Sequence, residues 1–345
     1  MLEEPLVSVV TPVYNGEAYL AECIESVLAQ TYSNWDYTIV DNCSSDGTHA
    51  LAEKYARSDN RIIVHRNDEF LDIIGNHNKA FRLISSDSKY CKVVSADDWL
   101  FPECLARMTA LAEANPSVGI VGSYQLSGGG NKWYLRTDGL PCDCTVVSGR
   151  EIGRMHLLGV LDVLGNPTST LYRSDLVRSA KSFYPNSSAE ADASACFKCL
   201  RDCDFGFVHQ VLSYERIHPD RITTTSQAFN AYVGSKLNDL STYGLSYLSP
   251  AEIDCRLQEL LGEYYKFLAI SAVNFQDRKF WKYHKKRLQD VGHPLDRGRL
   301  AWVICMKIAD LVFNPKQTIE RVLRRRKPAH TANVVGSRNA TFHNP

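Results

Sequence analysis

The sequence predicts an α/β protein with a Rossmann-like, mixed but mostly parallel sheet, helices on both faces, and a helical C-terminal region. Between residues 6 and 123, short β-branched apolar runs alternate with amphipathic stretches. Such alternation is typical of right-handed βαβ units and a covered parallel sheet. After about residue 226 the apolar residues recur three or four positions apart, which indicates helices. We therefore expect an α/β domain over 1–225, helices over 226–327 and a polar, disordered tail over 328–345.

The elements of the α/β domain follow from the same patterns. Apolar runs predict strands over 6–11, 35–40, 61–65, 90–94 and 118–123. Helical spacing predicts helices over 17–30, 48–56, 75–85 and 103–113. Farther along, we expect helices over 149–159, from 175 onward and over 190–200, and strands over 170–172 and 205–214. With these elements assigned, polar residues fall in the loops that follow the strands.

The composition excludes some classes of partner. The chain has 39 basic and 39 acidic side chains in 345 residues, so it lacks the global positive field that nucleic-acid binding uses. Its eleven scattered cysteines favour reduced thiols in a cytoplasmic protein over a disulfide framework. Cys196, Cys199 and Cys203 share one helical face, where buried thiols are favoured over a metal cluster. The N-terminus lacks a basic start and an apolar core, so we expect no signal peptide.

Three polar clusters follow predicted strands: residues 11–15, residues 41–46, and the pair Asp97 and Asp98. Ligands of parallel sheets bind beyond the carboxyl ends of the strands, so we expect these clusters to meet at one edge. Adjacent carboxylates repel each other unless a cation or ligand hydroxyl meets them. Oxygen ligands on a short loop suit Mg²⁺ or Mn²⁺, held jointly with substrate phosphates. The alternative for an isolated Asp-Asp pair is a solvated turn or a helix N-cap.

The usual phosphate-binding loops are missing from the sequence. It contains neither Gly-x4-Gly-Lys-Ser/Thr nor Gly-x-Gly-x-x-Gly. An ATP-hydrolysing or nicotinamide-binding protein would be expected to have one of these phosphate-binding loops, so the sequence disfavours both functions. Phosphate binding would instead depend on a metal at the paired aspartates and on cationic side chains.

The order and spacing of five segments between residues 5 and 222 carry a family resemblance. The segments are Ser8-Val9-Val10-Thr11-Pro12-Val13-Tyr14-Asn15, Ile39-Val40-Asp41-Asn42-Cys43-Ser44-Ser45-Asp46-Gly47-Thr48, Gly75-Asn76-His77-Asn78-Lys79-Ala80, Asp97-Asp98, and Glu190-Ala191-Asp192 ahead of Cys196-Phe197-Lys198. Together they resemble the family 2 glycosyltransferases, which have the GT-A fold. The resemblance implies an enzyme that moves a sugar from a nucleotide donor to a hydroxyl group, with inversion and with a divalent metal.

The resemblance also implies where the nucleobase binds. Thr11, Pro12 and Tyr14 would wall the base, and Asp41 would accept a hydrogen bond from it. The base in this family is usually uracil, so a UDP-sugar is the expected donor. The family often has a second Asp where this chain has Asn42, which leaves the base preference open.

The rest of the donor site is implied in the same way. Asn78 and Lys79 open a helix that faces the nucleotide and sugar in relatives. Asp97 would contact the ribose or the donor sugar, and Asp98 would ligate Mn²⁺ or Mg²⁺ bridging the diphosphate oxygens. The metal offsets the charge that builds up on the leaving nucleoside diphosphate.

Residues later in the chain complete the implied site. In relatives a loop after the last sheet strand closes over the donor, and here it carries His218 for the metal and Arg221 for the diphosphate. Inversion needs a carboxylate that takes the proton of the attacking hydroxyl. Asp192 is our first choice for this base and Glu190 the alternative, because position 191 is Ala where the family usually has Glu. For either acid, the competing reading is a helix N-terminal carboxylate.

The remaining expectations concern partners. A glycan or lipid-linked acceptor is implied, in cell-surface polysaccharide or glycan biosynthesis. The apolar segment 300–313 and the basic run 320–327 suit peripheral contact with an anionic membrane through 300–327, on its cytoplasmic face. The alternative is a helix packed on the catalytic domain and followed by a solvated basic end. Two other functions are alternatives: a sugar nucleotidyltransferase, and a non-catalytic sugar-nucleotide or glycan-binding protein.

Overall fold

The computed structural model describes residues 4–129, 132–164, 166–185, 191–218, 231–274 and 276–313, with the side chains of 231–233 and 310–313 left out. The chain divides into two compact units, residues 1–224 and 225–345. The polar clusters singled out from the sequence all belong to the first unit.

The first unit is built on one mixed sheet. Its strands run in the order β3-β2-β1-β4-β9-β6-β10-β5, with β7 beside β6 and β8 beside β10. The strands are β1 Val7–Val13, β2 Trp35–Asp41, β3 Ile62–Arg66, β4 Tyr90–Val93, β5 Trp99–Leu100, β6 Val118–Gly129, β7 Lys132–Leu135, β8 Val146–Val147, β9 Thr170–Arg173 and β10 Asp204–Arg216. The longest pairings, β1 with β2 and β6 with β10, are parallel. Strand β9 is antiparallel to β4 and β6, and joins the two parallel halves.

Helices cover the sheet. They are α1 Leu20–Leu28, α2 Thr48–Ala56, α3 Ile73–Arg82, α4 Cys104–Ala114, α5 Gly149–Leu157, α6 Ser174–Ser179 and α7 Ala191–Cys199, and a 3-10 turn spans Pro167–Ser169. All seven residues of β1 are buried, as expected for a central parallel strand. Helix α3 begins before the predicted residue 75 because Asp72 caps it, accepting a hydrogen bond from the Gly75 amide.

Strand β1 continues through Pro12, although the sequence predicts its end there. The amide of Val7 and the carbonyl of Val13 both point toward β2, where they bond to Asn34 and Asn42. Because hydrogen-bonding direction alternates along a strand, Pro12 points the other way, toward β4. The ladder with β4 ends at Val10. The missing amide hydrogen of Pro12 therefore costs no bond, and β1 reaches the edge where the polar clusters lie.

The second unit is helical in its described parts. Its helices are α8 Ala231–Tyr247, α9 Pro250–Val273, α10 Arg278–Asp290 and α11 Arg297–Phe313. Helix α9 begins with a capping box formed by Ser249 and Glu252, and α10 begins at the N-cap Asp277. In the described ranges, no helix is long and apolar enough to cross a membrane.

All eleven cysteines are free thiols. Cys196, Cys199 and Cys203 are buried, but the helix ends at Cys199, so Cys203 is not on the helical face that the spacing predicts. Burial raises the pKa of the Cys203 thiol to about 11 and raises that of Cys199 as well. These thiols remain protonated and pack as small apolar groups.

Candidate active site

The loops after β1 and β2 are bonded directly to each other. The Asn15 amide donates to Ser44 Oγ over 2.9 Å, and Asn15 Oδ1 accepts from the Ser45 amide over 2.9 Å. The Gly16 amide donates to Thr48 Oγ1 at the start of α2 over 2.8 Å. Asn15 has a positive φ of 50°, which asparagine tolerates better than most residues. The first two polar clusters therefore form one rigid rim at the carboxyl edge of the sheet.

Asp41, the last residue of β2, carries a buried acceptor that has no hydrogen-bond partner in the part of the chain that the structure describes. The side chain is fully buried, and Oδ1 accepts from the Ser44 amide over 3.0 Å. Oδ2 has no such partner, although Arg66 Nε lies 3.5 Å away and His49 Nδ1 lies 3.6 Å away. Buried carboxylate oxygens are normally satisfied, so this atom is suited to accept a hydrogen bond from a ligand.

Asn42 holds the loop that leads into α3. Its Nδ2 donates to the Leu71 carbonyl over 2.8 Å, and its Oδ1 accepts from the Leu71 amide and from Asn67 Nδ2, each over 2.9 Å. Asn67 Nδ2 also donates to Asn76 Oδ1 over 2.9 Å. The side-chain amide of Asn42 therefore bonds to other residues of the protein. Asp41 is the carboxylate at the end of this strand.

The three residues expected to wall the nucleobase differ in their surroundings. Thr11 is fully buried, and its hydroxyl donates to the Val94 carbonyl over 2.9 Å. Pro12 is buried as well, within β1. Tyr14 is 51% exposed, and its ring meets the exposed ring of Phe70 edge-on with centroids 4.9 Å apart. Tyr14 is therefore the one that is open to a ligand, and Phe70 is a neighbour that the sequence did not indicate.

Asn78 fastens α3 to the segment before α7. Its Nδ2 donates to the Tyr184 carbonyl over 3.0 Å, and its Oδ1 accepts from the Tyr184 amide over 2.9 Å. It lines a cleft of about 300 Å³ with Asp72, Gly75, Arg82 and Tyr184 among its walls. Lys79, the next residue, is half-buried. A ligand role for these two residues stays a prediction.

Asp97 and His218 lie side by side at the same edge. Asp97 Oδ2 is 3.1 Å from His218 Nε2, and the two side chains are 27% and 12% exposed. Among the described residues, which end here at His218 and resume at 231, its other ring nitrogen has no hydrogen-bond partner. Arg216 Nε donates to the Asp97 carbonyl over 3.2 Å, and its guanidinium lies over the Tyr19 ring. His218, which follows β10, therefore places its imidazole beside the carboxylate of Asp97, which follows β4.

Asp98, which the sequence favours as the metal ligand, points into the protein. It is 3% exposed. Its Oδ2 accepts from Thr168 Oγ1 over 2.7 Å, and its Oδ1 accepts from the Arg216 amide over 3.1 Å. A carboxylate enclosed in this way is poorly placed to reach a ligand. Asp97 is the more exposed of the two carboxylates, and the sequence-based choice of Asp98 as the metal ligand stays a prediction.

Asp97 and His218 have suitable donor atoms for a divalent ion. In the described ranges, no three His, Cys, Asp or Glu side chains form a ready-made metal cluster. Two protein ligands are nevertheless sufficient where substrate phosphates supply the rest of the shell, as is usual for Mg²⁺. His218 Nε2 and Asp97 Oδ2, which lie 3.1 Å apart, are the two donor atoms that would share such an ion.

Asp192 lies in the first turn of α7 and is half-buried. Its Oδ1 accepts from the Ala193 amide over 2.8 Å. Arg136 is the nearby cation, and it pairs with the fully buried Glu215. Burial opposes the charge of Arg136, but the Glu215 carboxylate outweighs that effect and Asp192 adds to it, so the pKa of Arg136 is raised. Glu190 and Arg221 lie outside the described residues, so their predicted roles stay predictions.

The residues that sequence reasoning missed are distant partners of the predicted ones. Arg66 and His49 flank Asp41, while Thr168 and Arg216 hold Asp98. Only position in the sheet reveals them, because their spacing in the chain forms no motif. A weak signal existed for Thr168, which lies in the polar segment 166–169 before β9.

Comparison with known proteins gives a family and a fold. The family model described as Glycosyl transferase family 2 matches residues 8–179. Over 95 residues the chain is 38% identical to TuaG of Bacillus subtilis (strain 168), whose name describes a teichuronic acid biosynthesis glycosyltransferase. That match covers 28% of this chain and 37% of the relative, so the chain spans little more than a third of that protein.

Two solved structures share the fold. Residues 1–349 of S. aureus TarS, in complex with UDP-GlcNAc, align with a TM-score of 0.60 at 17% identity, covering 95% of this chain and 94% of that chain. The mannosyltransferase PcManGT from Pyrobaculum calidifontis, in complex with GDP-Man and Mn²⁺, aligns with a TM-score of 0.53 at 12% identity, covering 91% and 88%. The predicted α/β fold of the GT-A type, with its helical C-terminal region, is confirmed.

Proposed function

Because residues 8–179 belong to glycosyl transferase family 2, we propose that this protein transfers a sugar from a nucleotide-sugar to an acceptor hydroxyl, with inversion. One observation carries the proposal. The Asp97–His218 pair and the unpartnered oxygen of Asp41 both lie at the carboxyl edge of the parallel strands, where α/β proteins bind nucleotides. A nucleoside diphosphate would then bind with its base at Asp41 and its diphosphate at a cation held by Asp97.

The surroundings of Asp41 favour uracil as the base. Its Oδ2 is an acceptor, and it is flanked at 3.5 Å by the donor Arg66 Nε and at 3.6 Å by His49 Nδ1, which donates in the tautomer that carries its hydrogen there. Uracil presents an N–H between two carbonyl oxygens, which complements one acceptor between two donors. Guanine presents two adjacent N–H groups and would meet one of the donors. Arg66 and His49 are 47% and 33% exposed, so a base would approach Oδ2 between these two side chains.

Asp97 and His218 would hold Mn²⁺ or Mg²⁺ together with the diphosphate. A bound ion would stabilise the charge on the leaving nucleoside diphosphate. Arg216 holds both aspartates in place. Its side chain donates to the Asp97 carbonyl, and its backbone amide donates to the Asp98 carboxylate. Asp97, His218 and Arg216 thus form one bonded group that would orient the phosphates.

Asp192 is our choice for the base that takes the proton from the acceptor hydroxyl, with Glu190 as the alternative. It is half-buried at the start of α7, near the cation Arg136. An ionised carboxylate can accept a proton, whereas a protonated one cannot. Inversion needs only this one base opposite the leaving group.

A glycan or lipid-linked acceptor fits the family, and the name of TuaG supports cell-surface polysaccharide biosynthesis. Helix α11 presents exposed apolar side chains, with Trp302 at 64%, Met306 at 54% and Ile308 at 48% exposure. Helix α10 presents exposed cations: Arg278, Lys279, Lys282, Lys285 and Lys286. Exposed apolar groups and cations together favour peripheral contact with an anionic membrane, where lipid-linked acceptors lie. Residues 314–327 of the predicted contact lie outside the described ranges.

Vesicle flotation tests the membrane contact. We expect binding to vesicles containing anionic phosphatidylglycerol and none to neutral phosphatidylcholine vesicles. Trp302→Ala should reduce binding, while the matched variant Trp133→Ala, which removes an exposed tryptophan of the first unit, should not. Equal loss in both variants, or no binding at all, would contradict the proposed surface.

Calorimetric titration with UDP, GDP, CDP and dTDP, each with and without Mn²⁺, tests the donor site. We expect UDP to bind most tightly and to need the metal. Donor hydrolysis or transfer measured on the same samples separates an enzyme from a non-catalytic sugar-nucleotide-binding protein. Synthesis of a nucleotide-sugar from a nucleoside triphosphate would instead favour a nucleotidyltransferase, and absence of nucleotide binding would overturn the proposal.

A further inference from the structure

Lys92 is a fully buried lysine that the proposed mechanism does not use. It lies on β4, three residues before the loop that carries Asp97 begins, and has 0% exposure. Its Nζ donates to the Thr168 carbonyl over 2.6 Å and to the Thr170 carbonyl over 3.1 Å. It also donates to Met108 Sδ over 3.9 Å, but sulfur is a weak acceptor, so the two strong acceptors are backbone carbonyls. Burial lowers the pKa of Lys92, because desolvation disfavours the charged form.

The side chain of Thr168 continues from Lys92 to the candidate active site. Its hydroxyl donates to Asp98 Oδ2 over 2.7 Å and accepts from the Ser95 amide over 3.1 Å. Thr168 is itself fully buried, in the 3-10 turn before β9. Thr168 thus accepts a hydrogen bond from Lys92 at its carbonyl. Its hydroxyl bonds to both ends of the segment 95–98.

Asp98 in turn fixes where Asp97 points. Asp98 is anchored on one side by Thr168 and on the other by the Arg216 amide, over 3.1 Å. Asp97, between Ser95 and Asp98 in the same short loop, is left with its carboxylate beside His218. A shift of the Thr168 turn would move Asp98, and Asp97 would move with it.

We propose that Lys92 is a positioning residue for the Asp97–His218 site, acting through the Thr168 turn on the loop 95–98. It touches no substrate. The inference rests on the proposed function, because it assumes that Asp97 and His218 hold the cation. Residues that orient metal ligands from outside the coordination shell commonly change metal affinity by about 10-fold to 100-fold.

Hydrogen exchange of the ligand-free protein tests the positioning directly. Lys92→Met keeps the length of the side chain but removes both bonds donated to the carbonyls, and Thr168→Val keeps the shape but removes the hydroxyl. Both variants should speed exchange of the amides of Ser95 and Asp98. Thr109→Val is the matched control, because Thr109 is also buried and its hydroxyl has no hydrogen-bond partner. Protection equal to the wild type in Lys92→Met would overturn the proposal.

Titration with UDP, with and without Mn²⁺, tests the consequence for the site. In Lys92→Met we expect the dissociation constant with Mn²⁺ to rise about tenfold. The weak metal-free binding should be unchanged. A purely structural role would lower the fraction of folded protein, which reduces the binding stoichiometry but leaves the ratio of the two dissociation constants unchanged. That unchanged ratio would overturn the proposal.

A double variant separates the route from a general loosening of the core. If Lys92 acts through Thr168, Lys92→Met should add little to the loss of Mn²⁺-dependent affinity already present in Thr168→Val. Fully additive losses would contradict that route. If the wild-type protein bound no nucleotide, the proposed function would fail, and the exchange experiment would still decide the effect of Lys92 on the loop. Thr168→Val serves the same purpose if Lys92→Met does not fold.

Discussion

Exchanging Asp97 and Asp98 separately for asparagine tests which carboxylate binds the cation. The two residues are adjacent, but their surroundings differ. Asp98 is 3% exposed and accepts two hydrogen bonds, from Thr168 and from the Arg216 amide. Asp97 is 27% exposed and faces His218. The structure therefore predicts opposite effects of the two substitutions on stability and on binding.

For Asp98→Asn we expect a large loss of stability. Each hydrogen bond to a charged acceptor contributes about 1.5–3 kcal/mol, and an asparagine amide cannot accept both. A loss of about 3 kcal/mol follows, which lowers the midpoint of thermal unfolding of a domain of this size by about 6–12 °C. Metal-dependent binding by the remaining folded protein should be weakened only moderately, because Asp97 keeps its charge.

For Asp97→Asn we expect the reverse. Its pair with His218 is partly exposed, and such pairs contribute less than about 1 kcal/mol, so the midpoint should fall by less than about 4 °C. Loss of a charged contact worth about 2.7 kcal/mol should weaken Mn²⁺-dependent UDP binding about 100-fold. Scanning calorimetry and titration of both variants provide the measurements. Unchanged stability with lost metal dependence in Asp98→Asn, and retained metal dependence in Asp97→Asn, would refute the assignment.

Three further substitutions test the rest of the site. Asp192→Asn should keep nucleotide binding and lose turnover by about 10²-fold or more, and near-normal transfer rates would move the base elsewhere. Arg66→Gln should weaken UDP binding about tenfold in calorimetry, because it removes a donor beside Asp41, and should leave the Mn²⁺ requirement unchanged. Glu215→Gln should cost about 2 kcal/mol in urea unfolding, since it removes the partner of Arg136 from a fully buried position; an unchanged midpoint would contradict this.

The rival functions make different demands on the same residues. A nucleotidyltransferase must bind a triphosphate and release pyrophosphate, and the segment after β1, Tyr14-Asn15-Gly16-Glu17, has no Arg or Lys for that purpose. A non-catalytic binding protein has no need of a base at Asp192. The Asp192→Asn variant therefore tests this alternative too. A binding protein transfers no sugar, so the substitution would change no transfer rate.

Much of the fold could be predicted from local sequence. The buried runs at β1, β2 and β4 and the helices between them follow from apolar periodicity, and parallel pairing then brings their carboxyl ends together. The short antiparallel strands β5 and β8 were missed. Each has only two residues, too few to establish a period, and each pairs with β10 from far along the chain. The family resemblance, drawn from motif order, is confirmed by the match over residues 8–179.

The sequence alone determined that two adjacent carboxylates follow a buried strand at the ligand-binding edge. Only the tertiary structure shows that the two differ in exposure, and from this difference we propose that Asp97 faces the ligand. The partners that turn Asp98 inward, Thr168 and Arg216, lie 70 and 118 residues away along the chain. Lys92 and Thr168 are likewise 76 residues apart, so no local pattern links them. The orientation of neighbouring side chains in a loop is set by contacts across the sheet, and such contacts leave no signature in the spacing of residues.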